Sequence, residues 1–135
     1  MPTTPELRPL WEAIVDHVTD HTDLNVGDGH KPAGDAPYVV LYLIDGGGLD
    51  GPVGDPEADL TTVVQATCVG RTQAEAMWVR DRVTRTFRTV PIDTPTGRAV
   101  MQVRTATPGG VTRDDDHQPP LWYCTPRFPI TTTPA

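Results

Sequence analysis

Aspartate, glycine and histidine gather at three places where they could hold a phosphate or a metal ion. The first is LYLIDGGGLDGPVGDPEADLTTVVQA, in which Gly46, Gly48 and Gly51 match the spacing G-x-G-x-x-G. A dinucleotide loop of that kind must run from a strand directly into a helix, whose free amides then face the phosphates. Here Pro52, Gly54, Asp55 and Pro56 follow, then strand-like text, and no lysine stands where a phosphate loop needs one. Asp45, Asp50, Asp55 and Asp59 offer oxygens to calcium, but their spacing fits neither an EF-hand loop nor a glycine–aspartate β-roll. Aspartate and glycine are also the residues of an ordinary turn. The stretch reads as a long hairpin loop, Gly46–Glu57, and long loops often contact something outside the domain.

The second place is RDDDHQ, from Arg113 to Gln118, where Asp114, Asp116 and His117 could meet a divalent ion. A run of like charge flanked by prolines reads instead as a solvated tip. The third is the pair His17 and His21, four apart on a helical stretch, a spacing able to chelate zinc. There is no H-E-x-x-H, and no cysteine or further histidine is placed to complete the site, so the pair reads as part of a polar helix face. Cys68 and Cys124 lie in strand-like text and read as a reduced, buried pair; Cys68 has no basic neighbour in sequence to activate it. Serine is absent, which excludes a serine nucleophile. Arg80, Arg82, Arg85 and Arg88 could grip phosphate, but Asp81 lies among them, and the stripe reads as a solvent- or subunit-facing helix surface. No catalytic residue, metal ligand or cofactor site emerges. A small metal-dependent hydrolase is the rival of a different class, and it requires Asp50, Asp55, Asp114 and His117 to converge on one pocket.

The elements that carry these residues follow from periodicity. The chain has 135 residues, which fits one domain, 1–135, able to bury a core without metal or disulfide support. Its 15 prolines and 12 glycines imply long loops, expected as flexible at 22–37, 46–57 and 108–120. In TPELRPLWEAIVDHVTDHT, Leu7, Leu10, Trp11, Ile14, Val15 and Val18 form one face of an amphipathic helix, with Thr3 or Thr4 as candidate caps. PYVVLYLID, Pro37–Asp45, is a strand apolar on both faces, with Tyr38, Val40, Tyr42 and Ile44 on one and Val39, Leu41 and Leu43 on the other. ADLTTVVQATCVG, Ala58–Gly70, alternates as a second strand. Thr72 and Glu75 form a capping box, and Ala76, Val79, Val83 and Phe87 mark the core stripe of a second helix. RAVMQVRTAT is a third strand. LWYCTPRFPITTT is a fourth, whose Pro126 and Pro129 suit an edge or an extended C-terminal arm, 125–135. The order α-β-β-α-β-β implies the α+β class, a mainly antiparallel or mixed sheet with helices packed on one face.

The net charge of −7 repels phosphate backbones, which argues against free nucleic-acid binding. No apolar run approaches the length of a membrane span and the N-terminus lacks a signal-peptide pattern, so the expectation is a soluble product made in the cytoplasm, with no membrane partner.

A starting helix, then PYVVLYLIDGG, a Gly/Asp loop, ADLTTVVQATCVGRTQAEAMWVRDRV and a strand-rich, proline-containing end occur in that order. Over about Tyr38–Phe87 this resembles the tail-terminator and minor tail proteins of long-tailed (siphovirus) bacteriophages, especially those of actinobacterial hosts. The aspartate loop Arg113–Gln118 and the proline-broken C-terminus depart from a compact version of that family. The resemblance implies a small α+β domain without enzymatic activity, forming a hexameric ring in the virion at the head-proximal end of the tail. Such a ring caps the tail tube, ends its polymerisation and provides the interface for head–tail joining. The partners implied are other copies of the chain, the tail tube protein and a head–tail connector or neck protein, with DNA only passing through the lumen. A neck or head–tail completion protein on the portal side is the alternative within the same area. The surfaces expected to make these contacts are Tyr38, Val40 and Tyr42, the aspartates Asp50, Asp55, Asp114 and Asp116, and the arginines Arg80, Arg85 and Arg88.

Overall fold

A computed structural model describes residues 6–50, 59–94, 98–104 and 110–134. The chain opens with helix α1, Leu7–Thr22, whose Leu10, Ile14 and Val18 are fully buried. Its N-cap is Glu6, whose side chain makes no capping bond; Thr3 and Thr4 lie outside the described residues. Helix α2, Gln73–Thr89, begins as its sequence demands. The Thr72 hydroxyl accepts from the Glu75 amide at 3.1 Å, and the Glu75 carboxylate accepts from the Arg71 amide at 2.9 Å and from its guanidinium. Those bonds satisfy amides that a helix start leaves free. Ala76, Val79, Val83 and Phe87 are buried, the stripe expected from their spacing.

One mixed sheet of seven strands runs beneath both helices. Its central strand is β3, Asp59–Gly70. Antiparallel to it on one side lies β2, Tyr38–Asp50, with β1, Asn25–Asp28, parallel on the outer edge of β2. On the other side β3 pairs with β7, Arg127–Pro134, along its first half and with β6, Leu121–Cys124, at its end. Outside these lie β4, Arg98–Val103, against β7, and β5, Thr112–Asp114, against β6. The fold is α+β, with the helices on one face. Leu60, Val64, Ala66 and Cys68 of β3 point into the same core as Val39 and Leu41 of β2, Phe128 and Ile130 of β7, and the buried sides of α1 and α2. The Phe87 and Phe128 rings meet at 4.8 Å between centroids, a pair worth about 0.5–1.5 kcal/mol beyond its burial. Thr62 and Thr132 are also fully buried, and each hydroxyl donates to a carbonyl on the facing strand.

Four segments differ from the sequence reading. The turn-rich text before Tyr38 contains β1, which Trp11 of α1 helps to fix by donating from its indole nitrogen to Asp28 at 2.9 Å. Gly46 and Gly48 do not sit in a loop: β2 continues through them to Asp50, with shifts of register after Leu43 and Asp45. The stretch 108–120 contains β5. The segment expected as an edge or terminal arm, 125–135, is largely β7, an interior strand held between β3 and β4. Proline removes a donor and keeps its carbonyl. The N–H and C=O of one strand residue point the same way. Pro129 offers its carbonyl to the Arg104 amide at 3.0 Å, so its missing donor falls just past the end of β4, where the ladder loses little. Pro126 likewise accepts from the Ala66 amide at 3.0 Å and spans the break between β6 and β7.

The turn from β3 into α2 leaves no room for a side chain. A Cβ built on Gly70 would overlap the Ala76 amide nitrogen and stand 2.8 Å from the Glu75 carbonyl carbon. Gly70→Ala is expected to lower folding stability by about 1–3 kcal/mol in chemical denaturation. Gly110→Ala, where a Cβ meets nothing within 4 Å, is the control expected to leave the midpoint in place.

Candidate functional site

Because successive residues of a strand point to opposite faces, β2 must present Tyr38, Val40 and Tyr42 away from the helices. The register sets Tyr38 beside Val69 of β3, and Val69 beside Tyr123 of β6. This row crosses three strands on the face that no helix covers. Tyr38, Val40, Val69 and Ala36 are buried there, with Tyr42, Leu121 and Tyr123 packed against them and half-buried. Together they floor an open groove of about 260 Å³, rimmed by Lys31, Asp114 and His117. The Lys31 ammonium lies 5.6 Å from the centre of the Tyr38 ring, within reach of a cation–π attraction. Burial pushes the Tyr38 phenol up from its usual range, and the Asp114 carboxylate adds to the effect. The hydroxyl therefore stays protonated at neutral pH.

The acidic rim is largely occupied with its own turn. Asp114 accepts from the Asp116 amide at 3.0 Å, and Asp115 pairs with Arg113 at 2.6 Å. Arg113 in turn lies over the Trp122 ring at 5.9 Å. Asp114 is half-buried at the groove, and Asp116 is exposed beside it.

On the other side of the molecule, the outer face of α2 exposes Met77, Trp78, Asp81, Arg85 and Arg88. Trp78 and Met77 are 47% and 41% exposed, unusual values for side chains of their size. The Arg82 guanidinium stacks 5.0 Å from the centre of the Trp78 ring. Arg82 is itself fixed, donating twice to the Thr22 carbonyl at 2.9 and 2.6 Å, where it also meets the negative end of the α1 dipole. Arg80, grouped by sequence with Arg85 and Arg88, is separated from them. It is half-buried on the flank of α2, and its Nε has no hydrogen-bond partner among the described residues.

A third depression, of about 470 Å³, lies along α1 between Glu12, Asp16, Asp20 and Asp93, with His17 and His21 in its wall. His17 is not on a polar face: it is 4% exposed. Its Nε2 stands 3.3 Å from the Thr86 carbonyl, which can only accept, so the neutral ring carries its proton there. The ring packs beside Phe87 and His21. Burial lowers its pKa, against the pull of the Thr86 carbonyl.

Cys68 and Cys124 face each other in direct register across β3 and β6 as buried free thiols. Hydrogen bonding to Cys124 and burial push the Cys68 thiol well up, which makes it a poor nucleophile at neutral pH. Among the described residues no three His, Cys, Asp or Glu groups stand together as a metal site. Asp114 and His117 do share the groove rim. Asp50 closes β2 opposite Asp59, but its side chain and the whole of Asp55 lie outside the described residues. No described helix is long and apolar enough to cross a membrane.

The structure thus brings Tyr38, Val40, Tyr42 and Asp114 into one surface, and sets Arg85 and Arg88 on another. Sequence reasoning missed Lys31, Leu121 and Tyr123 at the groove, and Met77 and Trp78 on α2. The alternation Leu121–Tyr123 and the position of Trp78 off the core stripe were the available signals.

No family model matches the chain, and no curated protein matches it. A solved structure does. A chain of the "Virion of native gene transfer agent (GTA) particle" aligns with a TM-score of 0.66 over 93% of this chain and 96% of that one. The same fold therefore occurs in a virion. Identity is 12%, so the likeness is one of fold.

His17 yields a pH dependence. Its folded-state pKa lies below the ordinary 6.5, so on acidification the unfolded chain takes up that proton first. Its contribution to stability is complete above pH 6.5 and is lost as pH falls toward the depressed folded value. Denaturation curves between pH 7.5 and 5 are expected to show this slope. His17→Gln, which keeps a donor for Thr86 but does not titrate, is expected to flatten it.

Proposed function

We propose that this protein is a structural component of a phage-like virion, a tail terminator. In this reading it forms a hexameric ring on the end of the tail tube, stops polymerisation and provides the surface for head–tail joining. The supporting observation is the fold likeness to a virion chain over nearly the full length of both. The sequence resemblance over Tyr38–Phe87 supports the tail-terminator reading within that class. The surfaces agree with such work. An apolar groove and an exposed Trp78–Met77–arginine patch are features of a protein that binds other proteins. Its partners are then further copies of itself, the tube protein and a neck protein. The chain's net charge of −7 suits a lumen through which DNA slides without sticking.

Electron microscopy of tube protein polymerised with and without this protein tests the reading. Added during growth, the protein is expected to shorten the tubes and to leave ring density at one end. Tubes of unchanged length with bare ends would refute the capping role. Binding to a portal-side ring instead of to tubes would move the protein to the neck.

A further inference from the structure

We infer that the ring contact is heterologous: the outer face of α2 of one copy seats in the groove on the open sheet face of the next. This rests on the self-assembling ring proposed above and identifies the two surfaces that build it.

Their placement comes first. The helices pack on one face of the sheet and the groove lies on the other, so the outer face of α2 and the groove are on different sides of the sheet. One chain cannot join them within itself. A contact of one surface with a different one passes from copy to copy, and when the rotation closes it makes a ring.

The chemistry of the two surfaces is complementary. Trp78 and Met77 project from α2, and the groove is floored by tyrosines, valines and Leu121. Tryptophan, tyrosine and arginine are the residue types that dominate binding energy at buried contacts. Charge agrees as well. The outer face of α2 carries Arg85 and Arg88 against Asp81, a surplus of one positive charge in a chain of net −7. The exposed Arg85 and Arg88 follow Met77 and Trp78 along α2, and Asp114 stands at the groove rim with Lys31 and His117. Two copies of an acidic chain repel, so docking needs such a local match.

The anchor is also held in advance. Arg82, tied to the Thr22 carbonyl, stacks on Trp78. A side chain restrained before binding loses less freedom on binding.

Two variants test the contact, each spoiling one surface: Trp78→Glu on α2 and Tyr42→Glu in the groove. Both positions are partly or largely exposed, and circular dichroism with thermal melting confirms that each variant folds. Sedimentation velocity then reads assembly of the wild type, of each variant alone and of a one-to-one mixture, with tube ends added if the wild type needs them. Each variant alone is expected to associate about thirtyfold or more weakly. The mixture is expected to give a heterodimer that grows no further, because one intact groove meets one intact α2 and no second pair remains. Trp78→Phe is expected to recover most of the wild-type assembly. If Trp78→Glu still forms rings, or if the folded variants stay monomeric together, the contact is wrong while the ring survives. If the wild type stays monomeric even with tube ends, the ring reading itself falls.

Discussion

A sheet has two faces, and the helices of this chain cover only one. Every other feature of the surface follows from that constraint. On the covered face, alternate residues of β2, β3 and β7 pack under α1 and α2 with almost no exposure. On the other face the same strands must do something else with their remaining side chains. Along β7 and the first half of β3 they are mostly polar, threonine, glutamine and arginine around the pair Val63 and Pro129, and Arg127 bonds to Gln65. Toward the other end they are Tyr38, Val40, Val69, Leu121 and Tyr123, which bury one another and leave a groove. Of these, Leu121 and Tyr123, with Tyr42 beside them, are only partly buried, where full burial of such a side chain is worth about 1.5–3 kcal/mol. The open face therefore keeps an unspent tendency to exclude water.

Helix α2 meets a second constraint. Its inner stripe must fill the core, and its start is fixed by the Thr72 hydroxyl and the Glu75 carboxylate. Close approach at Gly70 holds that start against the end of β3. Its orientation toward α1 is set by two buried or half-buried contacts, Arg82 to the Thr22 carbonyl and His17 to the Thr86 carbonyl. With the helix so determined, the direction of its outer face is determined too. Met77 and Trp78 lie off the buried stripe of α2 and remain exposed.

How much of this could be read from the sequence depended on how local each signal was. The capping box and stripe of α2 lie within one segment, and they were legible to the residue. The two-faced character of Tyr38–Leu41 was legible because alternation within one strand declares it. β1 and β5 were not, because four residues and three residues carry too little periodicity, and what makes them strands is a partner elsewhere in the chain. Pro129 pointed toward an edge for a sound local reason. The interior position of β7 depends on where β4 ends, which no residue near Pro129 records. The groove was half visible. Tyr38, Val40 and Tyr42 could be named, but Leu121 and Tyr123 join them only through the register of β3 with β6. His17 went the other way. Its spacing from His21 suggested a polar face, whereas the crossing of α1 on α2 buries it.

The polar groups of the described residues are largely engaged within the fold. A reactive site needs ionisable groups drawn into a cleft, where low polarity and close charges shift their affinities for protons. In this molecule the Asp114 carboxylate accepts from the Asp116 amide and the Asp115 carboxylate pairs with Arg113. The buried imidazole holds a helix carbonyl, and the Cys68 thiol is held protonated by its partner across the strands. The most perturbed groups thus serve the fold. Among the described residues, the large apolar side chains left exposed are Leu43 and Ile44 of β2 and Met77 and Trp78 of α2. Exposed ion pairs alone contribute little, about 0–1 kcal/mol each, and salt screens them. Any firm association must therefore draw its strength from the apolar floor and the indole, with charge setting which surface meets which. Such a division of labour lets apolar burial supply strength and charge supply selectivity.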